Sequence, residues 1–189
     1  TFVGNQAFDS DRLQDQMELQ PDAWWKFFGN KFDSTQFTKD LETIRNYYLD
    51  RGYAKAGIAN TDVKLNDEKT EARVTIDIVE GEKYTVNGAR IVGDVGGMAE
   101  QLAPLLKQIH VGEAFRRSDV QLVEESIKAT LGERGYGSAQ VNVQPDFNDE
   151  NKTVGLSFVV DAGKRYSVRQ IRFEGNTVSA DSTLRQEMR

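Results

Sequence analysis

His110 is the only histidine in the 189-residue chain and cysteine is absent, which removes most arrangements of side chains that do chemistry. A tetrahedral thiolate or imidazole metal site needs several such ligands, and a Ser/His/Asp relay needs a histidine placed beside its nucleophile. His110 reads instead as a loop residue at the surface. Asp146, Asn148 and Asp149 have oxygen ligands for calcium, but they lack the twelve-residue spacing and terminal glutamate of a calcium loop. They occupy a turn, where Asn and Asp bond their own backbone. Glu124 and Glu125 fall on the wet face of a helix. The run from Gly93 to Gly97 does not spell the GxGxxG of a dinucleotide fold. These residues predict no catalytic centre, no bound metal and no cofactor.

Charge excludes a further class. The chain carries 24 Lys and Arg against 30 Asp and Glu, a net charge of −6, with the basic residues scattered among acids. Nucleic-acid binding needs them clustered. No apolar run approaches the ~20 residues that a membrane-spanning helix requires. Five aromatic residues lie between Trp24 and Phe32, dense for a connection. They either pack helices and neighbouring units together or offer Trp24 and Trp25 as an exposed contact for a partner.

The elements that would hold such residues come in a repeat. Arg51-Gly52-Tyr53, Asn66-Asp67-Glu68, Gly81-Glu82-Lys83-Tyr84 and Ile91-Val92-Gly93 are followed by Arg134-Gly135-Tyr136, Asn148-Asp149-Glu150, Gly163-Lys164-Arg165-Tyr166 and Phe173-Glu174-Gly175. Tyr84 and Tyr166 are 82 residues apart, the Arg-Gly-Tyr motifs 83. Phe173, Gly175 and Leu184 also match Phe2, Gly4 and Leu13, 171 residues earlier. A repeat of this length is long enough to bury a small core of its own. The expected division is residues 1–82, with a truncated first strand, residues 83–164, complete, and residues 165–189, a first strand and the start of a helix.

Within each unit the periodicities give strand, helix, helix, strand, strand. Phe37, Leu41, Ile44 and Tyr48 form one helical stripe, ended by Gly52 in a left-handed position with Tyr53 folding back. Val120, Val123, Ile127 and Leu131 repeat it. Pro104 predicts a kink or short turn in the helix before them. Ala72, Val74, Ile76 and Ile78 alternate with polar neighbours, the mark of a strand with one wet face. The stretch from 58 to 65 alternates less cleanly and predicts a bulge. Its counterpart in the second unit is expected to run from 139 to 144. Gly81 to Lys83 leaves almost no linker, which limits the angles between units.

This order predicts an α+β fold: a three-stranded mixed sheet covered on one face by two antiparallel helices. The last strand lies in the middle, parallel to the first and antiparallel to the second. The second strand is then an edge, and its residues Ile58, Ala59, Asn60, Thr61, Asp62, Val63, Lys64 and Leu65 present unpaired main-chain groups. An extended peptide could add there with little demand on its sequence. Asn60, Asp62 and Lys64 could equally protect the edge from pairing. The opening strand of the third unit, residues 168–174 between Val168 and Glu174, is expected to pair with the edge of a neighbouring molecule in a crystal.

The Gly-x-Lys-Tyr and Gly-Lys-Arg-Tyr joints at 81–84 and 163–166, the Ile-Arg-Phe-Glu-Gly-Asn strand end at 171–176 and the Tyr-Leu-Asp-Arg-Gly-Tyr helix end at 48–53 resemble POTRA domains. The order of variants is similar to the third, fourth and opening of the fifth such domain in an outer-membrane protein assembly factor of Gram-negative bacteria. The resemblance implies a non-enzymatic periplasmic scaffold, tethered to a C-terminal membrane barrel absent from this sequence. It implies unfolded outer-membrane proteins and accessory lipoproteins as partners. Two other readings stand beside it: a POTRA array of another polypeptide-transporting pore, such as a two-partner secretion transporter or a chloroplast translocon, and a small hydrolase or ligand-binding protein.

Overall fold

The computed structural model describes residues 1–18, 34–65 and 72–167. It contains two three-stranded sheets, each with its own core. The first is built from β1 (Phe2–Val3), β2 (Gly57–Leu65) and β3 (Ala72–Val79), with α1 (Ser10–Gln14) and α2 (Ser34–Leu49) between β1 and β2. The second is built from β4 (Thr85–Asp94), β5 (Gln140–Asn148) and β6 (Thr153–Asp161). Between β4 and β5 lie α3 (Ala99–Leu102), a 3-10 helix (Ala103–Gln108) and α4 (Arg117–Glu133).

Both sheets have the expected topology. The strand orders are β1-β3-β2 and β4-β6-β5, and the central strand is parallel to the first and antiparallel to the second in each. The reason is visible in β6, where Val154, Leu156, Phe158 and Val160 are buried and their neighbours half-exposed. A central strand with one face on the core alternates in this way. The helices supply the other half. Val120, Val123, Ile127 and Leu131 of α4 are buried against that row, and each such side chain contributes roughly 1.5–3 kcal/mol of transfer free energy. In the first core, Phe37, Ile44 and Tyr48 of α2 meet Leu13, Ile76 and Ile78.

Helix ends follow the Arg-Gly-Tyr motif. Gly52 and Gly135 have φ of +96° and +93°, and the following amides, of Tyr53 and Tyr136, donate back to Tyr48 O at 3.2 Å and Leu131 O at 3.0 Å. The left-handed residue lets the chain turn under the last helical carbonyls, satisfying one of them.

Three details are not given by the periodicity. The helix over 98–108 gives way at Ala103 to a 3-10 helix with Pro104 in its first turn, so the interruption changes the helix type. Asp9 stands at the α1 N-cap, yet its side chain makes no cap bond. Finally, β5 does not stop at Gln144. It passes through Pro145 to Asn148, because a proline fits an edge strand when its nitrogen faces away from the ladder.

Candidate functional site

β2 lies at the border of the first sheet, paired to β3 on one side. Among the described residues no backbone hydrogen bond reaches its other side. The register slips by one residue between Ile58 and Asn60. A bulge therefore sits at Ala59, within the stretch where alternation weakens, and it adds local twist to the edge. Beyond it Thr61 faces Ile76, Asp62 faces Thr75, Val63 faces Val74 and Lys64 faces Arg73. Val63 shares the core side of the sheet with Val74 yet is 40% exposed. The edge thus combines unpaired main-chain groups with an apolar side chain beside them. Lys64 and Asp62 form an ion pair at 2.8 Å, and that bond raises the lysine's pKa. Both side chains are well exposed, so the pair contributes little to stability. It does put opposite charges side by side along the strand.

The structure therefore brings the candidate residues from Ile58 to Leu65 together as one border strand. Trp24, Trp25 and the strand expected over 168–174 lie outside the described residues. His110 lies exposed with Nδ1 3.0 Å from Asp119 Oδ2, consistent with a tie between loop and helix. Glu124 pairs with Lys128 one helical turn on, at 2.7 Å. Of the residues expected in the second turn, Asp146 lies inside β5 and Asn148 ends it; Asn148 Oδ1 still accepts the amide of Asn151 at 3.0 Å, which is turn chemistry. Among the described residues no group of three His, Cys, Asp or Glu could hold a metal ion, and no helix is long and apolar enough to cross a membrane.

A second constellation joins the two sheets, and periodicity gave no sign of it. Asp149 of the second hairpin turn accepts Lys55 Nζ at 2.6 Å and Tyr84 Oη at 2.5 Å. The Lys55 ammonium lies 4.8 Å from the Phe147 ring centre and 5.1 Å from that of Tyr84, a cation over two aromatic faces. Its hydrogen bond to Asp149 raises the Lys55 pKa, and the same bond lowers that of Asp149, with Tyr84 acting in the same sense on each. The Tyr84 amide donates to Gly52 O at 2.8 Å. Leu49, at the end of α2, is buried in the second core. The signal was present in the sequence as the repeated Asn-Asp-Glu triplet, but turn chemistry accounts for such a triplet without any partner.

The Tyr84 bond has a twin one repeat later, where the Tyr166 amide donates to Gly135 O at 2.7 Å. The same joint is thus used at the end of each unit. Comparison with known families agrees. A POTRA family model, described as "Surface antigen variable number repeat", matches residues 1–81 and again 84–163.

The chain belongs to the POTRA family.

Among solved POTRA structures, the crystal structure of Haemophilus influenzae BamA POTRA3-5 is 63% identical, with a TM-score of 0.87, and the match covers all of this chain and 74% of that one. The outer membrane protein assembly factor BamA of Neisseria meningitidis serogroup B is 28% identical over 190 residues. BamA of Buchnera aphidicola is also 28% identical over 190 residues. Both alignments use the whole chain but only 24% and 31% of the relatives. This POTRA chain therefore spans about a quarter to a third of the curated relatives it matches.

Proposed function

We propose that this chain is a scaffold and client-binding module of the machinery that assembles outer-membrane β-barrel proteins, standing on the periplasmic face of the Gram-negative outer membrane. It is divided at residues 82 and 164 into two POTRA domains and the start of a third, and it acts without catalysis. The likeness to relatives named as outer-membrane assembly factors supports the setting. The observation that carries the mechanism is the border position of β2, whose outer side meets no partner among the described residues.

Unfolded outer-membrane proteins, and extended segments of accessory lipoproteins, add to β2 as a further strand. Main-chain pairing suits such clients because it ignores most of their sequence. Four new backbone bonds at ~1 kcal/mol each give ~4 kcal/mol, or roughly millimolar binding. A client held so weakly is passed on rather than stored. The barrel that would receive it lies outside this sequence.

Photo-crosslinking amino acids placed singly from 58 to 65 in the full-length protein, in growing cells, test this reading. Adducts with precursor polypeptides or lipoproteins are expected along β2. Their absence there, with adducts forming from the exposed face of α4, would place the working surface elsewhere.

A further inference from the structure

The two sheets share a topology, and one of the positions at which their border strands differ bears directly on pairing. Leu156 of β6 faces Pro145, and Val74 of β3 faces Val63. Leu156 and Val74 are 82 residues apart, the separation of Tyr166 from Tyr84. The neighbouring pairs Phe158–Val143 and Ile76–Thr61 obey the same rule. Pro145 therefore occupies in the second sheet the place that Val63 holds in the first.

A proline nitrogen bears no hydrogen, and its ring fills the space that a partner carbonyl would need. The ladder between β5 and β6 runs unbroken through Pro145, so the nitrogen side of Pro145 points to the outer border. For L-residues, strand direction and side-chain face together fix which edge an N–H meets, and these two are the same in both sheets. Val63 therefore directs its N–H outward. An incoming strand on β2 finds a donor there. On β5 it finds a missing donor and a blocking ring, in the middle of the nine-residue strand.

We propose that Pro145 closes the β5 border to extended polypeptides, so that strand addition is directed to β2, with Val63 as the position that keeps β2 open. The β2 half rests on the function proposed above; the closure of β5 does not. Natural sheets use proline on edge strands to prevent unwanted pairing, and here the same device would sort two borders of the same topology. The occupant is an extended segment of alternating apolar and polar residues, since Thr61 and Val63 line its core side and Asp62 and Lys64 the other.

The test follows backbone amide resonances of the 189-residue chain during titration with a short synthetic peptide of alternating valine and threonine flanked by lysines. The natural chain should shift in 57–65 and stay silent in 140–148. Pro145→Val should add a response in 140–148, and Val63→Pro should weaken the response in 57–65 by about tenfold or more, the equivalent of one or two lost bonds. Pro145→Val restores an ordinary strand residue and so tests the closure without endangering the fold. A natural chain that responds equally at both borders, or a Pro145→Val chain still silent in 140–148, overturns the proposal. A silent β2 together with a responding Pro145→Val β5 upholds the closure and refutes the working surface on β2.

Discussion

The carboxylate of Asp50, just past the end of α2, accepts the backbone N–H of Ser118 in the first turn of α4 at 2.8 Å. The residue at the N-cap of α4 is Arg116, which makes no side-chain cap bond. A residue following one sheet's helix thus caps the helix of the next. Free N–H groups at a helix start favour an acceptor with negative charge. Asp50→Ala should cost about 1 kcal/mol, and faster amide exchange should appear in the first turn of α4 rather than in α2. Asp50→Asn should recover part of the loss. Protection in α4 that Asp50→Ala leaves unchanged would show that the bond does not hold the joint.

Lys55 and Asp149 make the same joint sensitive to pH at its extremes. The Asp149 pKa is lowered in the fold, so its contribution is complete above the ordinary carboxylate value of ~4 and is lost as pH falls through the lowered one. The Lys55 pKa is raised, so its contribution is complete below the ordinary value of ~10.4 and is lost as pH rises through the raised one. Between these limits the contact is constant. Resonances of Tyr84 and Phe147 should therefore hold steady through neutral pH and move in acid below ~pH 4, and Asp149→Asn should reproduce much of the acid spectrum at pH 7. Movement near neutral pH would show that another group controls the contact.

Glu80 gathers three elements of the first unit. Its carboxylate accepts Tyr48 Oη at 2.8 Å and the Ala7 amide at 2.9 and 3.2 Å. Burial first, and then this bond, raises the Tyr48 pKa. Tyr48 is 1% exposed, so Glu80→Ala leaves a buried hydroxyl unsatisfied at a cost of about 1–3 kcal/mol. Urea unfolding followed in the first unit should show that loss. The second unit has Ala162 and Leu131 in the matching places, and its unfolding should be little changed.

Gly93 and Gly97 separate steric demand from backbone strain. Both have positive φ, +95° and +77°. A Cβ on Gly93 would stand 2.3 Å from Val160 O, whereas one on Gly97 meets nothing within 4 Å. Gly97→Ala should cost about 1–2 kcal/mol, from the left-handed conformation alone. Gly93→Ala should cost at least ~2 kcal/mol more, since central-strand backbone must move. Equal midpoint shifts in denaturant would refute the close approach.

The parts of the fold that periodicity controls were legible in the chain. The inward rows of β3, β6, α2 and α4, the Arg-Gly-Tyr helix ends and the central place of the last strand follow from local pattern and from the repeat. The border position of β2 followed from topology. What was not legible depends on neighbours distant in sequence. A proline reads as a strand end until one knows that its strand is an edge, which is why β5 seemed to stop at Gln144. Asp149 reads as a turn residue until the angle between units brings Lys55, 94 residues away, to its carboxylate. Asp50 reads as a polar helix end until α4 arrives beside it.

Amide hydrogen exchange along 57–65, with and without an unfolded outer-membrane protein segment, tests the central claim most directly. Main-chain pairing predicts protection gained at alternate residues, with Thr61 and Val63 gaining and Asp62 and Lys64, already facing β3, unchanged. Uniform protection, or none while the segment is demonstrably bound, would contradict strand addition at β2.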